Sequence, residues 1–177
     1  MRGVGVYPGS FDPPTRAHLE IALAARTAHD LVRVDLAVSV LALGKESVVR
    51  PRFEDRLEVI RASIAGVDGL GLVVTEARLI VDIADGYDTV VMGADKFTQV
   101  NDPAWYDDDP AARDEAVARL PRLAVAPRPP HAVPDEHRLP VPDDLLEISS
   151  SAARAGRTDW MTDAARDYHH RTGAWTP

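Results

Sequence analysis

The spacing of apolar residues changes repeatedly along this chain, between runs typical of strands and the three-to-four-residue spacing of amphipathic helices. Apolar runs predict strands at residues 4–7, 31–40, 70–74, 89–92 and 123–126. Helical spacing predicts helices around residues 19–26, 53–64 and 77–84, with a helical segment at about 150–173. This alternation predicts an α/β fold, an open, doubly wound parallel sheet with the first strand at its centre.

Length and composition restrict the classes of protein that this sequence can encode. The chain has 177 residues, so we expect one domain over 1–177. Its net charge of -8 argues against a broad nucleic-acid surface, and the lack of cysteine excludes a thiolate nucleophile. No apolar run approaches the roughly 20 residues that span a bilayer. We therefore expect a soluble, cytoplasmic protein with neither nucleic-acid nor membrane partners.

The first candidate site follows the first predicted strand. Parallel sheets bind ligands beyond the carboxyl ends of their strands, and here the chain leaves through Pro8-Gly9 and exposes Ser10. Thr15 and His18 then lie three residues apart at the start of a helix, whose N–H groups attract anions. The residues alone leave two interpretations open, a phosphate site or a plain turn with a capping threonine and a surface histidine.

A second candidate site follows the proline-rich stretch 127–142, which holds six prolines and is predicted to be a surface loop. Ser149 or Ser150 is a suitable N-cap, and Ser151 and Arg154 share one face of the helix that follows. By itself this pattern also fits a plain cap with a solvated arginine. Taken with the first site, it predicts two helix starts, each with a hydroxyl and a cation, that could hold a triphosphate between them.

Other ligand-binding patterns are absent from the sequence. A Walker loop fails because Lys45 is followed by Glu46, and the dinucleotide fingerprint fails at Pro8. The acidic segment 102–115 lacks the spacing of a calcium loop. We therefore expect no metal site built from protein ligands.

The segments Gly9–His18 (GSFDPPTRAH) and Ile148–Arg154 (ISSSAAR) resemble the two signatures of the nucleotidyltransferase superfamily. Between them, Met92-Gly-Ala-Asp95, Trp105 and the segment 122–129 resemble elements of nicotinate and nicotinamide mononucleotide adenylyltransferases. The resemblance implies a Rossmann-like fold with helices on both faces of the sheet. It also implies transfer of AMP from ATP to the phosphate of a pyridine mononucleotide, with release of pyrophosphate.

The resemblance also assigns roles to individual residues. The expected catalytic residues are His18, Thr15 and Arg154. The expected ATP-binding residues are Ser10, Phe11, Gly93, Asp95, Ser150 and Ser151, and the expected contacts to the acceptor phosphate are Lys45 and Arg56. The implied cofactor is Mg²⁺ carried by the nucleotide. The implied partners are ATP and a phosphorylated small-molecule acceptor, and assembly into a homo-oligomer is compatible with this family.

Two departures from the signatures keep alternatives open. Ala17 stands where the first signature has glycine, which would fit a nucleotide-binding relative without catalysis or merely a good helix former. Thr15 matches the pattern of phosphopantetheine adenylyltransferases instead of the mononucleotide enzymes. Phosphopantetheine or another phosphorylated acceptor is therefore the alternative substrate.

Overall fold

A five-stranded parallel sheet forms the centre of the protein. The computed structural model describes residues 3–40 and 51–176. Lys45, an expected contact to the acceptor phosphate, therefore lies outside the described residues. The strands are β1 (Gly3–Pro8), β2 (Leu31–Ser39), β3 (Leu70–Thr75), β4 (Thr89–Gly93) and β5 (Arg122–Ala126). Their order is β3-β2-β1-β4-β5, and every pair is parallel. The predicted parallel sheet with a central first strand is confirmed.

Helices follow the strands in the alternating order that the sequence predicts. They are α1 (Arg16–Ala28), α2 (Phe53–Ile64), α3 (Ile80–Ile83), α4 (Ala94–Val100), α5 (Pro110–Ala118), α6 (Ser150–Arg154) and α7 (Asp163–Thr172). The helix expected at 77–84 is shorter than predicted and consists of the single turn α3. The helical segment expected at about 150–173 is two helices, because the chain turns at Gly156 with φ of 120°. Within the described ranges no helix is both long and apolar enough to cross a bilayer.

The helices cover both faces of the sheet, as predicted. On one face, α1 and α2 pack against side chains such as Tyr7 and Leu36. On the other, α3 and α4 pack against the intervening positions, including Val6 and Ala37. Successive strand residues point to opposite faces, so each central strand contributes to both cores.

A third apolar cluster joins α6 and α7 to the rest of the domain. Its buried members are Val59, Ala153, Met161, Ala165 and Trp175. Val59 lies on α2, and α7 contacts that helix. The last described part of the chain is thereby fixed beside the helix that supports the sheet.

Two truncations in β2, one of a buried and one of an exposed side chain, should differ in their effect on the free energy of unfolding. Leu36 is 1% exposed and pairs with Tyr7 and Leu72 on the flanking strands. We expect Leu36→Ala to lower the free energy of unfolding by about 2–5 kcal/mol, because it leaves a cavity in the core. Val32, on the same strand, is 45% exposed, so Val32→Ala should cost less than about 1 kcal/mol. Urea denaturation measures both values, and equal losses would contradict this account of the core.

Candidate active site

A polar cleft opens where β1, β4 and β5 end. We define it by Ser10 and His18 after β1, Asp95 after β4, Arg128 after β5, and Arg154 of α6, all of which line it. The space between its walls, including the mouth that is open to solvent, is about 930 Å³. The two segments singled out in the sequence therefore face one cavity, although about 130 residues separate them.

The start of α1 holds the ring of His18 in a fixed orientation. The backbone N–H of Thr15 donates to His18 Nδ1 at 2.9 Å, and Thr15 Oγ1 lies 2.9 Å from the same nitrogen. Because Nδ1 accepts a backbone N–H, the neutral ring carries its proton on Nε2. Thr15 is fully buried and does not line the polar cleft. Its contacts orient His18, and its expected catalytic role stays a prediction.

The ring of Phe11 packs against the same histidine. Its ring meets the His18 ring edge-on with centroids 5.0 Å apart, and meets the Tyr7 ring at 5.5 Å. Phe11 has a positive φ of 44°, a conformation that costs a non-glycine residue on the order of 1 kcal/mol or more. A Cβ on Gly9 would lie 2.9 Å from the Phe11 ring, so glycine is required there.

The three serines of the second segment have three different partners. Ser149 is the N-cap of α6 and accepts the N–H of Ala152 at 3.1 Å. Ser150 donates to the carbonyl of Pro13 at 2.8 Å. Ser151 accepts Arg154 Nη2 at 3.2 Å. The second segment is thus bound directly to the first, and Ser151 contributes to the orientation of Arg154.

The end of β4 contributes Gly93 and Asp95 to the polar cleft. A Cβ on Gly93 would lie 2.7 Å from an oxygen of the exposed Asp95 carboxylate, so a side chain at position 93 would displace that carboxylate. Tyr7 lines the cleft nearby, and burial raises the pKa of its hydroxyl far above the ordinary value; Arg128 opposes that rise and Asp95 adds to it. Tyr7 therefore stays neutral at any ordinary pH.

Arg56 lines neither the polar cleft nor the apolar cleft that lies beside it. It is 7% exposed, its Nη1 is 4.0 Å from Asp12 Oδ2, and its Nε has no hydrogen-bond partner among the described residues. Burial lowers the pKa of its guanidinium, and the Asp12 carboxylate opposes that shift. Its expected contact with the acceptor phosphate stays a prediction.

A second, apolar cleft lies beside the polar one. It encloses about 750 Å³, and its walls include Leu79, Ile80, Trp105 and Tyr106. The two clefts share the segment 8–10 and Lys96 as a common wall. Lys96 directly follows the Gly-Ala-Asp element on α4 and is held by Gln99 Oε1 at 2.6 Å.

Sequence reasoning gave no role to Lys96 or to Arg128. Arg128 donates to the carbonyl of Ile148 at 2.8 Å, which joins the end of β5 to the second segment. Lys96 directly follows the Met92–Asp95 element, and Arg128 lies within the segment 122–129 that carries the family resemblance. That proximity is the signal that would have found them.

The position of Ala17 bears on one alternative left open by the sequence, a nucleotide-binding relative without catalysis. Ala17 is 2% exposed and belongs to the core cluster, so its methyl group faces the interior and does not line the polar cleft.

In the described ranges 3–40 and 51–176, no group of three or more His, Asp or Glu side chains is placed to hold a metal ion.

The family model for cytidylyltransferase-like proteins matches residues 6–156. The chain is 25% identical over 206 residues to the probable nicotinate-nucleotide adenylyltransferase of Gloeobacter violaceus, which covers 97% of this chain and 95% of that protein. It is 32% identical over 82 residues to the phosphopantetheine adenylyltransferase of Desulfosudis oleivorans, which covers 46% of this chain. The chain spans about half the length of this relative and of the phosphopantetheine adenylyltransferase of Campylobacter hominis.

A solved structure supports the same fold. Plasmodium falciparum nicotinic acid mononucleotide adenylyltransferase, complexed with NaAD, is similar with a TM-score of 0.65 at 12% identity. The similarity covers 99% of this chain and 98% of that one. The two signatures, the sheet order and the match over residues 6–156 agree, and the chain belongs to the cytidylyltransferase-like family.

Proposed function

We propose that this protein transfers the adenylyl group of ATP to the phosphate of a pyridine mononucleotide and releases pyrophosphate. One observation carries the proposal: a polar cleft that contains both signatures shares a wall with an apolar cleft that presents Trp105 and Tyr106. The match to the Gloeobacter relative over 97% of the chain supports this acceptor.

ATP occupies the polar cleft in this proposal. Ser10, the N–H groups at the start of α1 and His18 face its phosphates, and Ser150, Ser151 and Arg154 face the triphosphate tail. Gly93 and Asp95 face the ribose hydroxyls, since a carboxylate accepts their hydrogen bonds. Phe11 acts by supporting His18.

The acceptor occupies the apolar cleft, with its ring against Trp105 and its phosphate at the common wall. Lys96 stands in that wall and would neutralise the charge of the two phosphates as they meet. Lys45 and Arg56 are proposed to attract the acceptor phosphate. Because Arg56 faces Asp12, its proposed effect acts through the local field and not by contact.

The proposed reaction is an in-line displacement at the α-phosphorus. An oxygen of the acceptor phosphate forms a bond to that phosphorus, and the bond to the bridging oxygen of the β-phosphate breaks as pyrophosphate leaves. The attacking oxygen is already anionic, so no general base is required. His18 Nε2–H donates to a non-bridging α-phosphate oxygen, and Arg154 stabilises the departing charge.

Magnesium enters this proposal with the triphosphate. Phosphate oxygens are ligands that Mg²⁺ prefers, and when bound it supplies neutralisation of the pyrophosphate charge. No metal cluster occurs among the described side chains, so the chain's own part is to hold the nucleotide through Ser151 and Arg154. A homo-oligomer, a cytoplasmic location and the lack of a nucleic-acid partner stay predictions.

Phosphopantetheine is the second candidate acceptor. Thr15 matches the pattern of the enzymes that use it, and relatives named for that activity are 31% and 32% identical to about half of this chain. The flexible amide chain of phosphopantetheine would make less use of an aromatic wall than a flat pyridine ring would. The pyridine mononucleotide therefore remains the first choice.

The acceptor preference is tested by pyrophosphate release. With ATP, we expect kcat/KM for nicotinate or nicotinamide mononucleotide to exceed that for phosphopantetheine by at least about tenfold, which is roughly 1.4 kcal/mol. CTP in place of ATP serves as the control for the donor. A preference for phosphopantetheine would overturn the choice of acceptor and leave the family assignment intact.

Substitutions at His18 and Thr15 separate a direct from an indirect role. We expect His18→Ala to lower kcat by about 10² or more, because one donor to the transition state is lost. Thr15→Val keeps the backbone N–H that binds Nδ1, so its loss should stay below about tenfold. His131→Ala is the matched control, because His131 contacts Thr98 at 3.1 Å and lies outside the polar cleft. Wild-type kcat in His18→Ala would show that the site is misassigned.

Removal of the Trp105 ring tests the placement of the acceptor. Trp105 is 37% exposed in the wall of the apolar cleft. Loss of one ring contact is worth about 0.5–1.5 kcal/mol, so Trp105→Ala should raise the KM of the pyridine mononucleotide about twofold to twelvefold. The KM of ATP should change less than about twofold. An equal rise in both constants would argue against this placement.

A further inference from the structure

The segment after α7 inserts one large side chain into the interior. The chain turns at Gly173, which has φ of 65° and donates to the carbonyl of His169 at 2.7 Å. The backbone N–H of Trp175 donates to His169 Nδ1 at 3.2 Å. Trp175 is 2% exposed, whereas Thr176 beside it is exposed. The end of α7 therefore fixes the position of this tryptophan.

The indole of Trp175 binds the aspartate of the first signature. Its Nε1–H donates to Asp12 Oδ1 at 2.6 Å, and Asp12 is 5% exposed. The other carboxylate oxygen, Oδ2, lies 4.0 Å from Arg56 Nη1 and 3.9 Å from Arg154 Nη1. A hydrogen bond to an ionised group in a buried setting is among the stronger ones in proteins. The indole therefore determines how the Asp12 carboxylate is oriented.

Arg154 stands between this buried carboxylate and the polar cleft. Its guanidinium donates to the backbone carbonyl of Asp12 and to Ser151 Oγ. The separation of 3.9 Å from Asp12 Oδ2 exceeds a hydrogen bond, and the Arg154 side chain keeps 38% of its surface exposed. Arg154 is thus attached to the backbone of the first signature without being captured by the carboxylate.

We propose that Trp175 is a positioning residue for ATP binding: its indole N–H holds the Asp12 carboxylate back from Arg154, so that the guanidinium faces the triphosphate. The inference rests on the role of Arg154 in the proposed function. The family match ends at residue 156, so Trp175 lies outside the matched residues.

Other contacts tie the same part of the chain to the first signature. The N–H of Thr162 donates to the carbonyl of Pro14 at 3.1 Å, and Met161 pairs with Thr15 as an isolated bridge. Residues 161–175 therefore contact the first signature at Asp12, Pro14 and Thr15. These contacts place the effect of Trp175 on the ATP side of the site.

Loss of the indole N–H removes one of the partners of the Asp12 carboxylate. The carboxylate can then move toward the guanidinium groups of Arg56 and Arg154, which lie at nearly equal distances from Oδ2, and closure on Arg154 draws that side chain from the triphosphate. We expect Trp175→Phe to raise the dissociation constant of ATP about tenfold, which corresponds to about 1.4 kcal/mol. The KM of the acceptor should change less than about twofold, whereas kcat should fall together with ATP affinity, because Arg154 also stabilises the departing pyrophosphate.

The experiment measures ATP binding by calorimetry without acceptor, together with both KM values. Phenylalanine keeps a ring beside Tyr168 and His169, which contact Trp175 at centroid distances of 5.7 and 6.3 Å. Trp160→Phe is the matched control, because Trp160 faces the Arg157 guanidinium at 3.9 Å and should leave ATP binding unchanged. Circular dichroism confirms folding. Trp175→His, which retains a ring N–H, should bind ATP more tightly than Trp175→Phe.

Combination with Arg154→Ala separates the possible results. In that background Trp175→Phe should cause no further loss of ATP affinity, because its effect passes through Arg154. Additive losses, unchanged ATP affinity in Trp175→Phe, or an equal rise in both KM values would overturn the inference. Unchanged ATP affinity in Arg154→Ala alone would instead show that the proposed function has misplaced the triphosphate.

Discussion

The arrangement of the site depends on two hydrogen bonds to adjacent backbone carbonyls in the first signature. Arg154 donates to the carbonyl of Asp12, and Ser150 donates to that of Pro13. Backbone acceptors cannot rotate as side chains do, so these bonds fix the start of α6 relative to the exit of β1. The orientation of His18 by Thr15 and the cation supplied by Arg154 are useful only because this junction places them on the same cleft.

The sequence was informative wherever local pattern determines structure. The five strands and the two helix starts follow from periodicity and from residues that are close in the chain, and the central position of β1 follows from the doubly wound architecture that their alternation predicts. Contacts between distant residues were not predictable in the same way. Trp175 reaches Asp12 across 163 positions, and neither residue carries a local sign of that bond. Likewise, the burial of Arg56 depends on packing that its own helix pattern does not reveal.

The clefts show how one sheet edge can serve two ligands of different character. The exits of β1, β4 and β5 supply backbone and charge to the polar cleft, whereas the exit of β2 and the loop before α3 contribute to the apolar one. Lys96 and Arg128 extend the positive charge beyond the two signatures, although the chain carries a net charge of -8. Local fields, not the overall charge, therefore govern which ligands this edge can hold.

The contacts that complete the polar cleft span 137, 142 and 163 positions of the chain. Closing such long loops is slow and entropically costly, so the cleft is completed late in folding, after the local strand and helix contacts of the sheet. Residues 150–176 make all three contacts, so their detachment is a smaller opening than unfolding of the sheet core. A nucleotide bound across the junction would oppose this opening by mass action, which couples the folding stability of the chain to nucleotide concentration.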